Sequence, residues 1–227
     1  MGLVRKDFAL VVIAMALFGS MLCEGKANSK GFEVPPNCKK LECAPYQVIE
    51  SQKDYEIRSY KRALWVSSPQ INSTSFNNGS GKGFKILFAY FFGKNKQLAK
   101  ISLTAPVLVY VNPSNTTGPS STSLYTVYFY LPQKYQKISP PVADQVRPVT
   151  LPKRKYAAVR RFGGFTKNTD IPSQVTALRE SLKGTPWESA IAKTYGGGVV
   201  PYTVAGYNSP FELVNRVNEV MLWFDKS

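Results

Sequence analysis

The sequence contains no histidine. That absence removes every Ser-His and Cys-His nucleophile pair and every histidine-ligated metal from consideration. Acidic residues are scarce as well, 14 against 29 basic ones, and no two are spaced as an obvious general acid and base. Only three cysteines are present, and without histidine a C-x4-C pair supplies just two soft ligands for a metal. The longest apolar run, Ala9 to Leu22, falls short of the ~18–20 residues that span a bilayer. These deficits point away from catalysis and toward binding.

Aromatic residues are plentiful, with 13 Tyr and 13 Phe, and 227 residues suffice for one domain or two small ones with a sizeable core. The net charge of +15 favours acidic partners: carboxylated small molecules, anionic polysaccharide, anionic membrane or nucleic acid. Lys153-Arg-Lys-Tyr and Arg160-Arg-Phe alternate bases with aromatics, as nucleic-acid stacking platforms do. A secretory leader argues against that partner. Arg5 and Lys6 precede the apolar run, and the small residues Cys23 and Gly25 suit signal peptidase, so residues 1–25 read as a cleaved signal peptide, with a membrane anchor as the alternative.

Secretory entry changes how the remaining cysteines read. Cys38 and Cys43 form an even pair in an oxidising compartment, and a local disulfide in an N-terminal arm, residues 26–45, is expected. Its short loop predicts stabilisation at the low end of ~2–4 kcal/mol. Acceptor sequons at Asn72, Asn78 and Asn115, each in a polar stretch, fit the same compartment. The protein is expected in the secretory pathway, extracellular or vacuolar.

Strand and helix periodicities alternate along the chain. Asp54 to Tyr60 alternates with period two, and Ala63 to Val66 extends it. Ser67 to Gly81 reads as a loop; its Gly79-Ser-Gly-Lys-Gly lacks the spacing of a phosphate loop. Phe84, Leu87, Phe88 and Phe91 then fall on one helical face, with Ser80 as a candidate cap and Gly93 at the exit. Ile86, Ala89, Tyr90 and Phe92 make the other face apolar too, which predicts either full burial or a ligand on the second face. Strands are expected over Ile101 to Val111, Tyr125 to Leu131 and Val149 to Arg161. A second helix carries Ile171, Val175, Leu178 and Leu182, with Pro172 in its first turn and Gly184 at its end. Two further strands, from Tyr202 and from Glu219, complete the pattern. The reading is an α+β domain over residues 46–227: two pseudo-symmetric βαββ repeats forming a distorted β-barrel with two packed helices and a cleft between the halves.

Several strings resemble the SOUL family of haem-binding proteins. Asp54-Tyr-Glu-Ile-Arg-Ser-Tyr is similar to its opening strand, and Phe84 to Asn95 to its first helix and exit. Lys100-Ile-Ser-Leu-Thr-Ala-Pro-Val is close to its most recognisable string. Phe162-Gly-Gly, Tyr207-Asn-Ser-Pro and Arg216-Val-Asn-Glu-Val match its second half. The leader together with Pro36-Asn-Cys-Lys-Lys-Leu-Glu-Cys43 further resembles a plant secretory branch.

The resemblance implies a two-repeat barrel, related to effector-binding domains of bacterial regulators, that binds haem or another tetrapyrrole rather than catalysing a reaction. It places the pocket along the first helix, at Phe84, Phe88 and Phe91 with Tyr90 adjacent. Lys85, Arg58 and Arg160 are candidates to pair with propionates, by charge and expected position. Some relatives are thought to ligate iron through histidine. Here an axial ligand would have to be Tyr, Met221, Lys or a reduced Cys, so burial and propionate pairing without strong iron ligation is expected. A module for another amphipathic small molecule, or a basic wall- or surface-associated protein holding an anionic polymer, are the alternatives.

Overall fold

A helix meets the sheet closely only where its side chains are small, and two glycines one turn apart set that contact here. The computed structural model describes residues 32–114, 121–166, 168–209 and 211–225; the expected leader and the Asn115 sequon lie outside the described residues. Helix α1 runs Phe76–Phe91 and starts well before the expected cap at Ser80. Ser75 caps it instead, its hydroxyl accepting from the Asn78 N–H at 3.4 Å. The reason lies in strand β8, Ser123–Tyr130, beneath it. A Cβ on Gly79 would sit 2.4 Å from the Tyr125 ring, and one on Gly83 would sit 2.5 Å from a Val127 methyl. The glycine-rich stretch is therefore the helix's contact face, not a loop. Gly93, with φ of +99°, follows the helix end as expected.

The remaining strands are β1 Glu42–Cys43, β2 Tyr46–Ser51, β3 Glu56–Tyr60, β4 Ala63–Ser67, β5 Ile71–Ser73, β6 Thr104–Ala105, β7 Val107–Asn112, β9 Arg147–Leu151, β10 Tyr156–Gly163, β11 Tyr202–Gly206 and β12 Val217–Phe224. The main sheet runs in the order β2-β3-β10-β12-β11-β7-β8-β4-β9, with β5 added beside β8. Its strand pairs are antiparallel, and it curls into a half-barrel.

The order is symmetric about the β7–β11 pair. On one side follow β8, β4 and β9; on the other follow β12, β10 and β3. With β1, β2, β5, β6 and α3 set aside, each half is ββαββ in the chain, one strand longer than the expected repeat, and the first strand of each such unit, β3 or β9, pairs inside the other half.

Helix α2, Asp170–Leu182, buries Ile171, Val175, Leu178 and Leu182, the stripe read from the sequence. A third helix, α3, Pro186–Tyr195, was not expected. Its signals are ordinary ones: the Thr185 hydroxyl accepts from the Glu188 N–H at 3.4 Å, Pro186 opens the first turn, and Gly196 is left-handed at the end.

Alternation along the strands divides the core. Val109, Val127, Phe129, Val204, Val220 and Leu222 face the helices, where Leu87, Tyr90, Phe91 and Leu178 meet them. Trp65, Leu108, Tyr130, Tyr207 and Met221 face the concave side. The N-terminal arm closes one edge of that side. Cys38 and Cys43 are disulfide-bonded, β1 pairs with β6, and Asn37 donates to the Tyr207 carbonyl at 2.7 Å.

Candidate functional site

The concave face is where the half-barrel leaves space. Strands β4, β7, β8, β11 and β12 place Trp65, Leu108, Tyr110, Tyr128, Thr203, Met221 and Trp223 around one cavity of about 480 Å³. Ala44 and Pro45 of the arm bound it on one side, and Leu151 to Arg154 with Tyr195 bound it on the other. Its walls are rich in Tyr and Trp rings, and a volume in this range suits a drug-sized ligand. The Trp223 indole N–H donates to the Thr203 hydroxyl at 2.9 Å, and the Tyr60 ring stands edge-on to Trp223 at 5.1 Å, so these flat faces are held in place.

Cations supply the other chemistry. Lys61, Lys153 and Arg154 all line the cavity. Arg154 is partly committed, pairing with Asp225 at 2.9 Å and stacking over the Tyr195 ring at 4.8 Å. Neither lysine has an ion pair among the described residues.

Beside the cavity lies a buried charge cluster. Glu219 and Arg58 are wholly buried, and Arg58 also contacts Glu56 at 2.7 Å. Arg161 reaches Glu219 at 2.7 Å, and the Tyr207 hydroxyl donates to the same carboxylate at 2.9 Å. Two guanidinium groups thus face two carboxylates, and the cluster adds no net charge to the cavity. Burial opposes ionisation of Glu219, but Arg58 and then Arg161 outweigh it and hold the carboxyl below its usual range. Burial pushes the phenols of Tyr60 and Tyr207 far up, and those of Tyr110, Tyr128 and Tyr195 up as well. At neutral pH these are hydrogen-bonding phenols, not phenolates.

The ligand residues singled out from the sequence do not line this cavity. Phe84 and Phe88 stack at 5.4 Å and Phe88 stacks on Phe92 at 4.4 Å; this ladder starts against the core, where Phe84 meets Phe129 at 5.4 Å, and runs out to the exposed Phe92. Phe91 and Tyr90 turn inward instead: Phe91 packs on Phe129, and the Tyr90 hydroxyl donates to the Pro141 carbonyl at 2.7 Å. The helix buries Leu87, Tyr90 and Phe91 together, which corrects the expected division of its faces. Lys85 is exposed beside the ladder, at a groove formed with residues 143–146. Arg58 is enclosed in its ion pairs, and Arg160 bonds Gln174 at 3.1 Å and Asp54 at 3.2 Å. Asn72 and Asn78 are exposed, but on β5 and in the first turn of α1 rather than in loops.

Sequence reasoning missed most of the cavity, although its signals were present. The Tyr128 and Tyr130 alternation marks one wall, and the Lys153-Arg-Lys-Tyr run marks its cationic edge.

The family model described as SOUL heme-binding protein matches residues 41–223. The chain belongs to the SOUL family. This SOUL chain is 34% identical to Heme-binding protein 2 of Homo sapiens over 179 residues, covering 79% of this chain and 82% of that protein. It is 27% identical to Heme-binding protein 1 of Mus musculus over 187 residues, covering 80% and 92%. Among solved structures, an uncharacterized conserved protein from Listeria innocua aligns with a TM-score of 0.48 at 10% identity, over 75% of this SOUL chain and 92% of that one.

Proposed function

We propose that this protein binds haem or a related tetrapyrrole non-covalently in its concave cavity, as a carrier or scavenger rather than an enzyme. The observation that carries the site is the cavity itself: flat aromatic walls end at Lys61, Lys153 and Arg154. A macrocycle would lie against Trp65, Tyr128 and Trp223, and its propionates would meet the cations. The relatives named for haem support the ligand class.

Strong iron ligation is not part of the reading. Histidine is absent, Cys38 and Cys43 are joined, and the wall phenols are neutral, which leaves Met221 as the soft donor on the cavity. The site would therefore accept metal-free porphyrin and haem comparably. The sequence leader and the disulfide support a secretory or extracellular setting.

Titration of the purified protein with ferric haem and with protoporphyrin tests this. Saturable one-to-one binding of both is expected, with a weakly shifted haem spectrum. Tryptophan fluorescence should be quenched along the same saturation curve, with Trp65 and Trp223 lining the cavity. Absence of saturable binding of either compound would overturn the proposal.

A further inference from the structure

The turn after α1 holds apolar side chains in water without a packing reason. Leu98 is 81% exposed and has φ of +52°, a backbone region that non-glycine residues enter at a cost. Asn95 keeps it there. This buried side chain donates to the carbonyls of Tyr90 at 3.1 Å and Ala99 at 2.7 Å, and its carbonyl accepts from the Ala99 N–H at 3.0 Å. The turn is braced from inside, and its apolar tip is built facing outward. Phe92, at the helix end, is 54% exposed, caps the Phe84–Phe88 ladder and pairs by backbone with Lys100.

Charge surrounds this tip. Lys85, Lys94, Lys96 and Lys100 are all exposed. Only Lys96 has an ion pair among the described residues, a loose one of 3.7 Å to the exposed Asp144. Gln97 is the other polar side chain of the turn, and it is used within the fold, accepting from the Val142 N–H at 2.9 Å.

The geometry points to a peripheral contact with an anionic lipid bilayer, in which Phe92 and Leu98 enter the interface and the lysines meet lipid phosphates. Apolar tips ringed by lysine suit such a surface, because lysine stems cover apolar area while their ammonium groups reach the headgroups. Each lysine near an anionic leaflet adds to the attraction. An acidic protein is the rival partner, but Phe92 and Leu98 project apolar area that a bilayer takes up without a matching pocket, and the test separates the two. The inference stands apart from the tetrapyrrole reading and does not depend on what fills the cavity.

The test is co-sedimentation with vesicles, using protein expressed from its full coding sequence. Vesicles of phosphatidylcholine with about one-third phosphatidylserine should retain the protein, with about tenfold weaker retention on phosphatidylcholine alone and release at high salt. Leu98→Glu and Phe92→Glu should each weaken binding about tenfold while circular dichroism and haem titration stay unchanged. Phe211→Glu, at another exposed apolar loop, should have no effect. The proposal is overturned if anionic vesicles do not retain the protein, if retention ignores both α1-turn variants, or if it is lost with Phe211→Glu instead. Binding to polyglutamate with vesicles ignored would assign the face to an acidic protein and equally overturn it.

Discussion

Arg58 and Glu219 meet fork to fork across adjoining parts of the sheet, with both nitrogen–oxygen contacts at 2.9 Å and neither side chain exposed. Desolvating two charges is costly, and further hydrogen bonds offset it: Arg58 also donates to Glu56, and Glu219 also accepts from Arg161 and the Tyr207 hydroxyl.

Removing one partner should therefore be worse than removing both. Glu219→Ala is expected to cost about 3–5 kcal/mol by urea unfolding, since it leaves the buried Arg58 with Glu56 alone and deprives Arg161 and the Tyr207 hydroxyl of their acceptor. Arg58→Met with Glu219→Leu and Glu56→Gln, which removes the buried charges of Arg58 and both carboxylates together, should recover a large part of that loss. Equal losses in the two variants would contradict a coupled pair.

Stability should fall at both ends of the pH range. The Glu219 carboxyl is depressed in the folded state, so its contribution is complete above the unfolded value of about 4.3 and is lost as pH drops through the lower folded value. Acid unfolding is thus expected below about pH 4, with a shallower dependence in Glu219→Gln. At the alkaline end, burial raises Tyr90 and Tyr202 to about 12. Their neutral forms stabilise the fold below about pH 10, and that contribution disappears between about pH 10 and 12. Phenolate absorbance and circular dichroism should change together there.

Three glycines in one helix should answer differently to alanine. Gly79→Ala and Gly83→Ala drive a methyl into Tyr125 and Val127 and should each cost about 1–3 kcal/mol in thermal or urea unfolding. Gly81 has nothing within 4 Å, so Gly81→Ala should stabilise by about 0.5–1 kcal/mol through helix propensity alone. A uniform response would mean that the helix does not press on β8 as described.

Porphyrin titration of two variants separates the cavity from the outer helix face. Lys61→Glu with Lys153→Glu should weaken binding about tenfold or more, by placing like charge against the propionates. Phe84→Ala with Phe88→Ala should leave affinity near wild type. The reverse pattern would return the ligand to α1, where the family resemblance first placed it.

Much of the fold was legible because it is written in local periodicity. The β10 alternation around Tyr156, the α2 stripe and the Cys38–Cys43 staple all follow from neighbours in sequence. The site was less legible because its walls come from seven strands, and no short window contains Trp65, Tyr128 and Trp223 together. Alternation shows that Tyr128 and Phe129 face opposite ways, but not which face meets helices. For α1, Phe84 to Phe92 is apolar on both sides, so periodicity could not choose a buried face; Gly79 and Gly83 chose it, by letting that side approach the sheet. Arg58 looked available for the same reason, since its partner Glu219 is far along the chain.

The exchange of first strands between the halves ties them into one cooperative unit. With β3 hydrogen-bonded to β10 and β9 to β4, neither half holds all the strands of its own side of the sheet. A cut between Tyr135 and Arg147 should yield two fragments that are each incomplete alone and regain structure when mixed. The intact chain should unfold in one step. Two independent copies of such a half would complete their sheets only by lending each other a strand, so this single chain has the topology of a swapped dimer joined end to end.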